Sequence, residues 1–237
     1  MIDIHSHVVF NVDDGSESLE MSREMLRRSA EQGVTDVICT SHVTPGYHPF
    51  PSDQYTGNLQ ILQDDVKYKG IDIKLHSGCE IMYTSEAARM LREGEILTLA
   101  GSSYILVEFM PDVLWSVIQD AVREFASAGL TVIAAHVERY ACLYSDLSRL
   151  EELHSLGVLC QMNGRTVLRA KRFMGDKWAR KALSAGLIDL VASDMHNTTS
   201  RAQNLGEADR FLRKEFGDET ANLLLKENPG RILRANA

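Results

Sequence analysis

Gly33-Val34-Thr35-Asp36-Val37-Ile38-Cys39-Thr40-Ser41-His42 is the stretch on which the fold turns. A glycine stands just after a helical segment, where the left-handed residue that ends a helix favours glycine. An apolar, β-branched run follows from Val34 to Ser41, and a histidine sits where the run stops. The phrase recurs: Gly70, Gly129, Gly157 and Gly186 also stand just after helical segments. Seven apolar runs can be read, over Ile2 to His7, Val34 to Ser41, Ile71 to Ile81, Tyr104 to Phe109, Leu130 to His136, Val158 to Asn163 and Ile188 to Ser193. Helices are predicted between them over Glu17 to Gln32, Ser52 to Lys69, Ser85 to Glu93, Val113 to Ala128, Ser145 to Leu156 and Lys177 to Ala185, with a helical region from about Ser200 to Leu233. Repeated βα units imply an α/β fold with a parallel sheet or barrel. The least regular stretches, Val43 to Pro51 and Gly164 to Asp176, are expected as rim loops, and in a parallel barrel the loops leaving the C-terminal strand ends build the active site.

The chain is 44% hydrophobic and 24% charged, and no linker, repeat or low-complexity segment divides it, so one domain over residues 1–237 is expected. A net charge of -8 argues against nucleic acid as the main partner, since affinity for phosphate backbones comes from clustered Lys and Arg. Met1-Ile2-Asp3-Ile4-His5 places no basic segment ahead of an apolar core, and no run approaches the roughly 18 apolar residues of a membrane span. A cytoplasmic protein is the expectation. Cys39, Cys79, Cys142 and Cys160 are widely spaced without a C-x-x-C pair, which suits free thiols.

His5 and His7, two apart on a strand, project to one face and can grip one ion together. More telling is where other ligand types fall. His42 ends the second strand, Glu80 the third, Glu108 the fourth, His136 the fifth, and Asp194 with His196 the seventh. Asp13 and Asp14 follow the first strand, and Asp14 is taken as the ligand. Each residue alone could be a cap, a core histidine or an ion-pair partner, but a barrel gathers all these strand ends at one rim. One ion takes only about four to six protein ligands, so a set this large implies two or three ions sharing carboxylates. Imidazole and carboxylate without thiolate suit manganese, iron or zinc, and fit calcium poorly. His48, His76 and His154 fall outside the pattern.

Bridged cations suit phosphoryl transfer, because a bridging hydroxide forms at neutral pH and the metals neutralise charge developing on phosphate oxygens. Arg139, three residues after His136, and Arg201, five after His196, could reach the same rim and hold a phosphate. No cysteine has an arginine six residues later, as a phosphate-cradling cysteine loop would require. G-x-S-x-G, H-E-x-x-H and G-x-x-x-x-G-K-[ST] are also missing.

Asp3-Ile4-His5-Ser6-His7, Val12-Asp13-Asp14-Gly15-Ser16, Thr40-Ser41-His42, Gly78-Cys79-Glu80, Val107-Glu108-Phe109, His136-Val137-Glu138-Arg139-Tyr140, Ser193-Asp194-Met195-His196-Asn197 and Glu227-Asn228-Pro229 together resemble the PHP (polymerase and histidinol phosphatase) superfamily. Within it the chain looks like the bacterial manganese-dependent protein-tyrosine phosphatases of capsular and exopolysaccharide synthesis. The resemblance implies a distorted seven-stranded (β/α) barrel, TIM-like, with three metal ions. It assigns His5, His7, Glu80 and Asp194 to one ion, Glu80, Glu108 and His136 to a second, and Asp14, His42 and His196 to a third. It makes Arg139 and Arg201 the phosphate contacts. Val137, where relatives often carry proline, departs from the pattern and touches only local loop shape.

The resemblance also implies a substrate, phosphotyrosine in the tail of a bacterial tyrosine autokinase, hydrolysed by in-line attack of a metal-bridging hydroxide. Tyr47 and Phe50 could face the substrate ring or belong to a plain rigid loop. The basic run Arg165, Arg169, Lys171 and Arg172 could receive an acidic phosphopeptide or be a solvated face. The rival readings are a histidinol-phosphate phosphatase, a nuclease disfavoured by charge, and a non-catalytic metal-stabilised binding module.

Overall fold

The computed structural model describes residues 1–171 and 175–235. Seven strands, β1 Ile2–Ser6, β2 Asp36–Val43, β3 Lys74–Met82, β4 Tyr104–Glu108, β5 Thr131–Ala134, β6 Leu159–Asn163 and β7 Leu190–Ala192, lie side by side in chain order, all parallel. Around them run α1 Leu19–Glu31, α2 Ser52–Tyr68, α3 Ala87–Arg92, α4 Trp115–Ser127, α5 Ala141–Tyr144, α6 Ser148–Ser155, α7 Gly164–Arg169, α8 Lys177–Ser184, α9 Leu205–Phe216, α10 Asp218–Asn222 and α11 Asn228–Arg234. Each expected strand and helix is present, most with trimmed ends, while β2 and β3 run on to Val43 and Met82. Gly33, Gly70, Gly129, Gly157 and Gly186 all take positive φ at helix ends.

The sheet nearly closes on itself, and the seam lies just above β7. There Asp194 N–H donates to His5 O at 3.0 Å and His7 N–H to Met195 O at 2.9 Å, with Ser6 and Met195 bridged in parallel. Inside the barrel, Ile4, Ile38, Leu106, Ile133 and Leu190 form an apolar floor that Leu99 and Ile232 seal. Gly78 faces this floor. A Cβ there would stand 2.9 Å from Ile38 Cγ2 and 3.0 Å from Leu99 Cδ2, so the site needs a residue without a side chain. A larger outer core lies between strands and helices.

The helices follow their sequence periodicity. In α1 the Ser18 hydroxyl caps the Met21 N–H, and Ser22, Met25, Leu26 and Ser29, spaced three and four apart, turn one face to the sheet. Burying Met25 and Leu26 stabilises this packing by about 1.5–3 kcal/mol each. From α2, buried Tyr55 donates its hydroxyl to Cys39 O at 2.7 Å and accepts Gly78 N–H at 3.0 Å, pinning the helix to β2 and β3. Tyr55→Phe strands both backbone groups, so the urea midpoint should fall by the equivalent of about 1–3 kcal/mol with an unchanged slope. An unshifted midpoint would show that other groups or water replace the hydroxyl.

One expectation needs correction and one open choice is decided. Gly164 to Asp176 is not wholly irregular: α7 forms immediately after β6 because Gly164, Thr166 and Val167 bury one face, against α9. For Phe50 the plain-loop reading holds, its ring packed in the core 5.3 Å from that of Tyr55, whereas Tyr47 is 75% exposed.

Candidate metal centre

The site is assembled at the C-terminal ends of the strands, and β1 contributes first. Asp3 pairs with Val37 but Ser6 with Cys39, so two residues, Ile4 and His5, oppose the single Ile38. This bulge reverses which side chains face the barrel axis: Ile4 joins the floor while His5 and His7, both fully buried, point into the mouth. Asp3, on the other face, accepts the Ser193 N–H at 3.0 Å, the Ser193 hydroxyl at 2.5 Å and Gln203 Nε2 at 3.0 Å, bracing the exit of β7. Two ligand candidates at strand exits, His136 (φ 33) and Asp194 (φ 53), adopt left-handed backbone. Such conformations cost on the order of 1 kcal/mol or more and collect at functional sites.

Glu80 is the hub. Its Oε2 lies 3.1 Å from His5 Nε2, 3.2 Å from His7 Nε2 and 3.2 Å from His42 Nδ1, and its Oε1 lies 2.9 Å from His136 Nε2. Asp194 Oδ1 completes the first group, 3.5 Å from His5 Nε2 and 3.7 Å from His7 Nε2. Glu108 spans the second, with Oε1 3.3 Å from His42 Nδ1 and Oε2 3.5 Å from His136 Nε2. Asp14 Oδ1 stands 3.4 Å from the Nε2 atoms of both His42 and His196. The structure thus brings together every residue of the expected set, and His7 also comes within reach of the third group.

These spacings suit cations better than direct hydrogen bonds. Donors each about 2.1 Å from a shared ion stand roughly 3–3.5 Å apart. Glu80 Oε2 and His196 Nε2 are buried yet make no well-formed hydrogen bond to protein, as expected of atoms aimed at an ion. Burial opposes charge on His7, but hydrogen bonds and charges from Asp13 and Glu80 prevail and push its pKa up to about 9. At His42 burial is likewise outweighed, by Glu108 and Glu80, and the pKa again reaches about 9. Burial and the neighbouring His7 hold His196 down to about 3. Burial alone would raise the pKa of Glu80, yet the surrounding histidines keep it well below the usual carboxylate range. Cations entering the group must displace imidazole protons, so loading weakens as pH falls.

A supporting shell fixes the rings. Asp13 accepts His7 Nδ1–H at 2.8 Å and the His42 backbone N–H at 3.0 Å. The turn that brings Asp13 there needs Gly15, where a Cβ would stand 2.3 Å from His7 O. Strand β6 supplies no ligand but supplies the brace. Gln161 Oε1 lies 3.1 Å from His5 Nδ1 and accepts His136 N–H at 2.9 Å, its amide donates to Asn163 Oδ1 at 2.9 Å, and Asn163 Nδ2 donates to Asp194 Oδ2 at 2.8 Å. The ladder of strand-end ligands overlooks these residues, because a brace carries no ligand-type signature. The alternation Gln161-Met162-Asn163 at the end of a buried strand was the available hint: two side-chain amides on one buried face need partners.

Arg139 and Arg201 flank Asp194. Arg139 Nη2 donates to its Oδ2 at 2.5 Å, Arg201 Nη2 to its Oδ1 at 2.9 Å, and both guanidiniums remain partly exposed at the mouth. Arg165 lines the same small cavity and donates to Ser200 O. Arg169 turns to Thr166 Oγ1, Lys171 is exposed, and Arg172 lies outside the described residues. His48, His76 and His154 stand apart: His48 is exposed, His76 pairs with Asp36 at 3.0 Å and His154 with Asp189 at 2.8 Å. His154, Asp189 and Cys160 form a separate, part-buried cluster near the N-terminal strand ends.

Comparison with known proteins agrees with this geometry. The family model described as capsular polysaccharide synthesis, CpsB/CapC, matches residues 1–234. Tyrosine-protein phosphatase CpsB of Streptococcus agalactiae serotype V is 36% identical over 239 residues, covering 99% of this chain and 98% of its own. Tyrosine-protein phosphatase YwqE of Bacillus subtilis is 31% identical, covering 99% and 92%. A solved chain from the crystal structures of YwqE from Bacillus subtilis and CpsB from Streptococcus pneumoniae, described as unique metal-dependent tyrosine phosphatases, superposes with a TM-score of 0.88 at 29% identity, covering 99% of this chain and 95% of that one. By sequence along nearly its whole length and by fold, the chain belongs to the CpsB/CapC family of capsular polysaccharide synthesis.

Proposed function

We propose that this chain, acting as one domain over residues 1–237, hydrolyses phosphotyrosine on the tail of a bacterial tyrosine autokinase and so regulates capsular or exopolysaccharide synthesis. It is a metal-dependent protein-tyrosine phosphatase. The observation that carries this reading is the convergence of five imidazoles and four carboxylates, His5, His7, His42, His136, His196, Asp14, Glu80, Glu108 and Asp194, beside two part-exposed arginines. Divalent cations held there would acidify a water and neutralise charge on the phosphoryl oxygens. Manganese is the ion we assign, with iron or zinc as substitutes, on the oxygen and imidazole donor set.

The protein's own groups do the rest. Arg139 and Arg201 present guanidinium donors at the mouth, and a phosphate there replaces Asp194 as their partner. Asp13, Gln161 and Asn163 keep the imidazoles and Asp194 in place without reorganisation. A cysteine nucleophile has no support: burial pushes the Cys79 thiol up to about 12 and holds the Cys39 and Cys160 thiols above their ordinary value. Free thiols agree with a cytoplasmic setting, and among the described residues no helix is long and apolar enough to cross a membrane.

The test compares chelated protein, reloaded with manganese, iron, zinc or magnesium, on a phosphotyrosyl peptide and on histidinol phosphate. Chelation should abolish turnover and manganese restore it best, with kcat/KM for the peptide exceeding that for histidinol phosphate by at least about tenfold. Turnover by metal-free protein, or the reverse preference, would overturn the reading.

A further inference from the structure

Three adjoining depressions lie among α5, α6, α7 and α8. The first, about 480 Å³, is lined by Glu138, which precedes Arg139 in the chain, with Tyr144, Arg169 and Lys171 among its walls. The second, about 300 Å³, shares Tyr144 with it and adds Leu147, Lys177, Trp178 and Lys181. The third, about 660 Å³, shares Lys171 with the first and Leu147, Lys177 and Lys181 with the second, and continues to Leu187 between α6 and α8. The shared walls make one trough from the rim down the flank of the barrel.

Its charge is opposite to that of the chain. Against a net charge of -8, five basic residues, Arg169, Lys171, Lys177, Arg180 and Lys181, line the trough beside three acidic ones, Glu138, Glu151 and Asp176, and Lys171, Lys177 and Lys181 are exposed with no carboxylate partner among the described residues. Arg180 is already held by Glu215 at 3.1 Å and by Ala170 O. Lys177 and Lys181, four apart, share one face of α8, and Tyr144 stacks on Trp178 at 5.4 Å with its ring half exposed. α8 rises about 12 Å, the length of roughly four residues of extended chain.

We propose that this trough binds the acidic segment flanking the phosphotyrosine of the substrate polypeptide, its carboxylates meeting Lys171, Lys177 and Lys181. The inference rests on the phosphotyrosine reading above. A concave channel with three unpaired lysines, one wall of which is Glu138, next to Arg139 in the chain, suits an extended acidic peptide better than a flat anionic surface.

The experiment uses metal-loaded enzyme and Lys177→Glu/Lys181→Glu, with folding checked by thermal melting, since both side chains are exposed. Three substrates are compared: a phosphotyrosyl peptide with an Asp/Glu flank, the same peptide with Asn/Gln in the flank, and para-nitrophenyl phosphate. The double variant should raise KM for the acidic peptide about tenfold or more and leave the other two unchanged, and the difference should shrink at high salt. Equal KM values for the two peptides with the unaltered enzyme, or unchanged discrimination in the variant, would overturn the proposal. So would charge-dependent binding to phosphatidylserine vesicles with peptide discrimination intact, which would mark a membrane-facing surface. Fluorescence anisotropy of the unphosphorylated acidic peptide keeps the two readings separate. If no phosphotyrosyl peptide is hydrolysed but this peptide binds and the variant releases it, the phosphatase reading falls and the trough stands; if it fails to bind, the trough falls.

Discussion

Glu80→Ala is expected to lower phosphotyrosyl-peptide turnover by on the order of 10³-fold or more and to reduce the metal bound per chain. No other carboxylate is placed as Glu80 is. One oxygen faces His5, His7 and His42 within 3.2 Å, and the other faces His136 at 2.9 Å. A group between imidazoles from three strands, β1, β2 and β5, would act as a bridge, so on the proposed reading its removal disturbs two ion positions at once. It also leaves the histidines, whose pKa values Glu80 helps to raise, without the nearest compensating charge. Metal analysis beside kinetics separates the effects, and Glu80→Gln, which keeps the volume and one acceptor oxygen, should retain more metal than Glu80→Ala. Full metal content with turnover within a few-fold of the unaltered protein would remove Glu80 from the centre.

Arg139→Ala and Arg201→Ala should each lower kcat by about 10²–10³-fold, the loss typical of one preorganised donor to a charge-developing oxygen. Metal content should stay the same, which distinguishes these variants from those at Glu80. Both arginines bind the same carboxylate, Asp194, so their effects should not add simply in the double variant. Lysine at either position keeps the charge but loses the planar fork, and only partial recovery is expected. A loss below a few-fold in both single variants would show that neither guanidinium contacts the phosphoryl group in the transition state.

The positions of the strands and the ligand ladder were legible because both rest on short-range patterns: glycine closing a helix, an apolar run, then a polar residue at its end. The β1 bulge was not. It exists only through pairing with β2, and without it the parity that sends Ile4 to the floor would turn His5 and His7 away from the mouth. Asp13 and Asp14 are adjacent acids of the same type. Only the folded loop shows that Asp14 reaches His42 and His196 while Asp13 holds the far side of His7. Gln161 and Asn163 escaped for a related reason: what they do depends on the partners across the barrel. The choice between the two readings of Phe50 stayed open in the sequence because a proline-rich segment suggests a loop but does not say which of its aromatic rings packs inward.

The seam between the first and last strands bears on how the protein is made. His5 and His7 are synthesised well before Asp194 and His196, which are joined to them across the seam and lie 189 positions further along the chain. At ribosomal speeds of about 5–20 residues per second the interval is on the order of ten seconds or more. A nascent chain that stops short of β7 therefore carries these imidazoles without the carboxylate that stands beside them, and the group can assemble only after the seventh strand has been made.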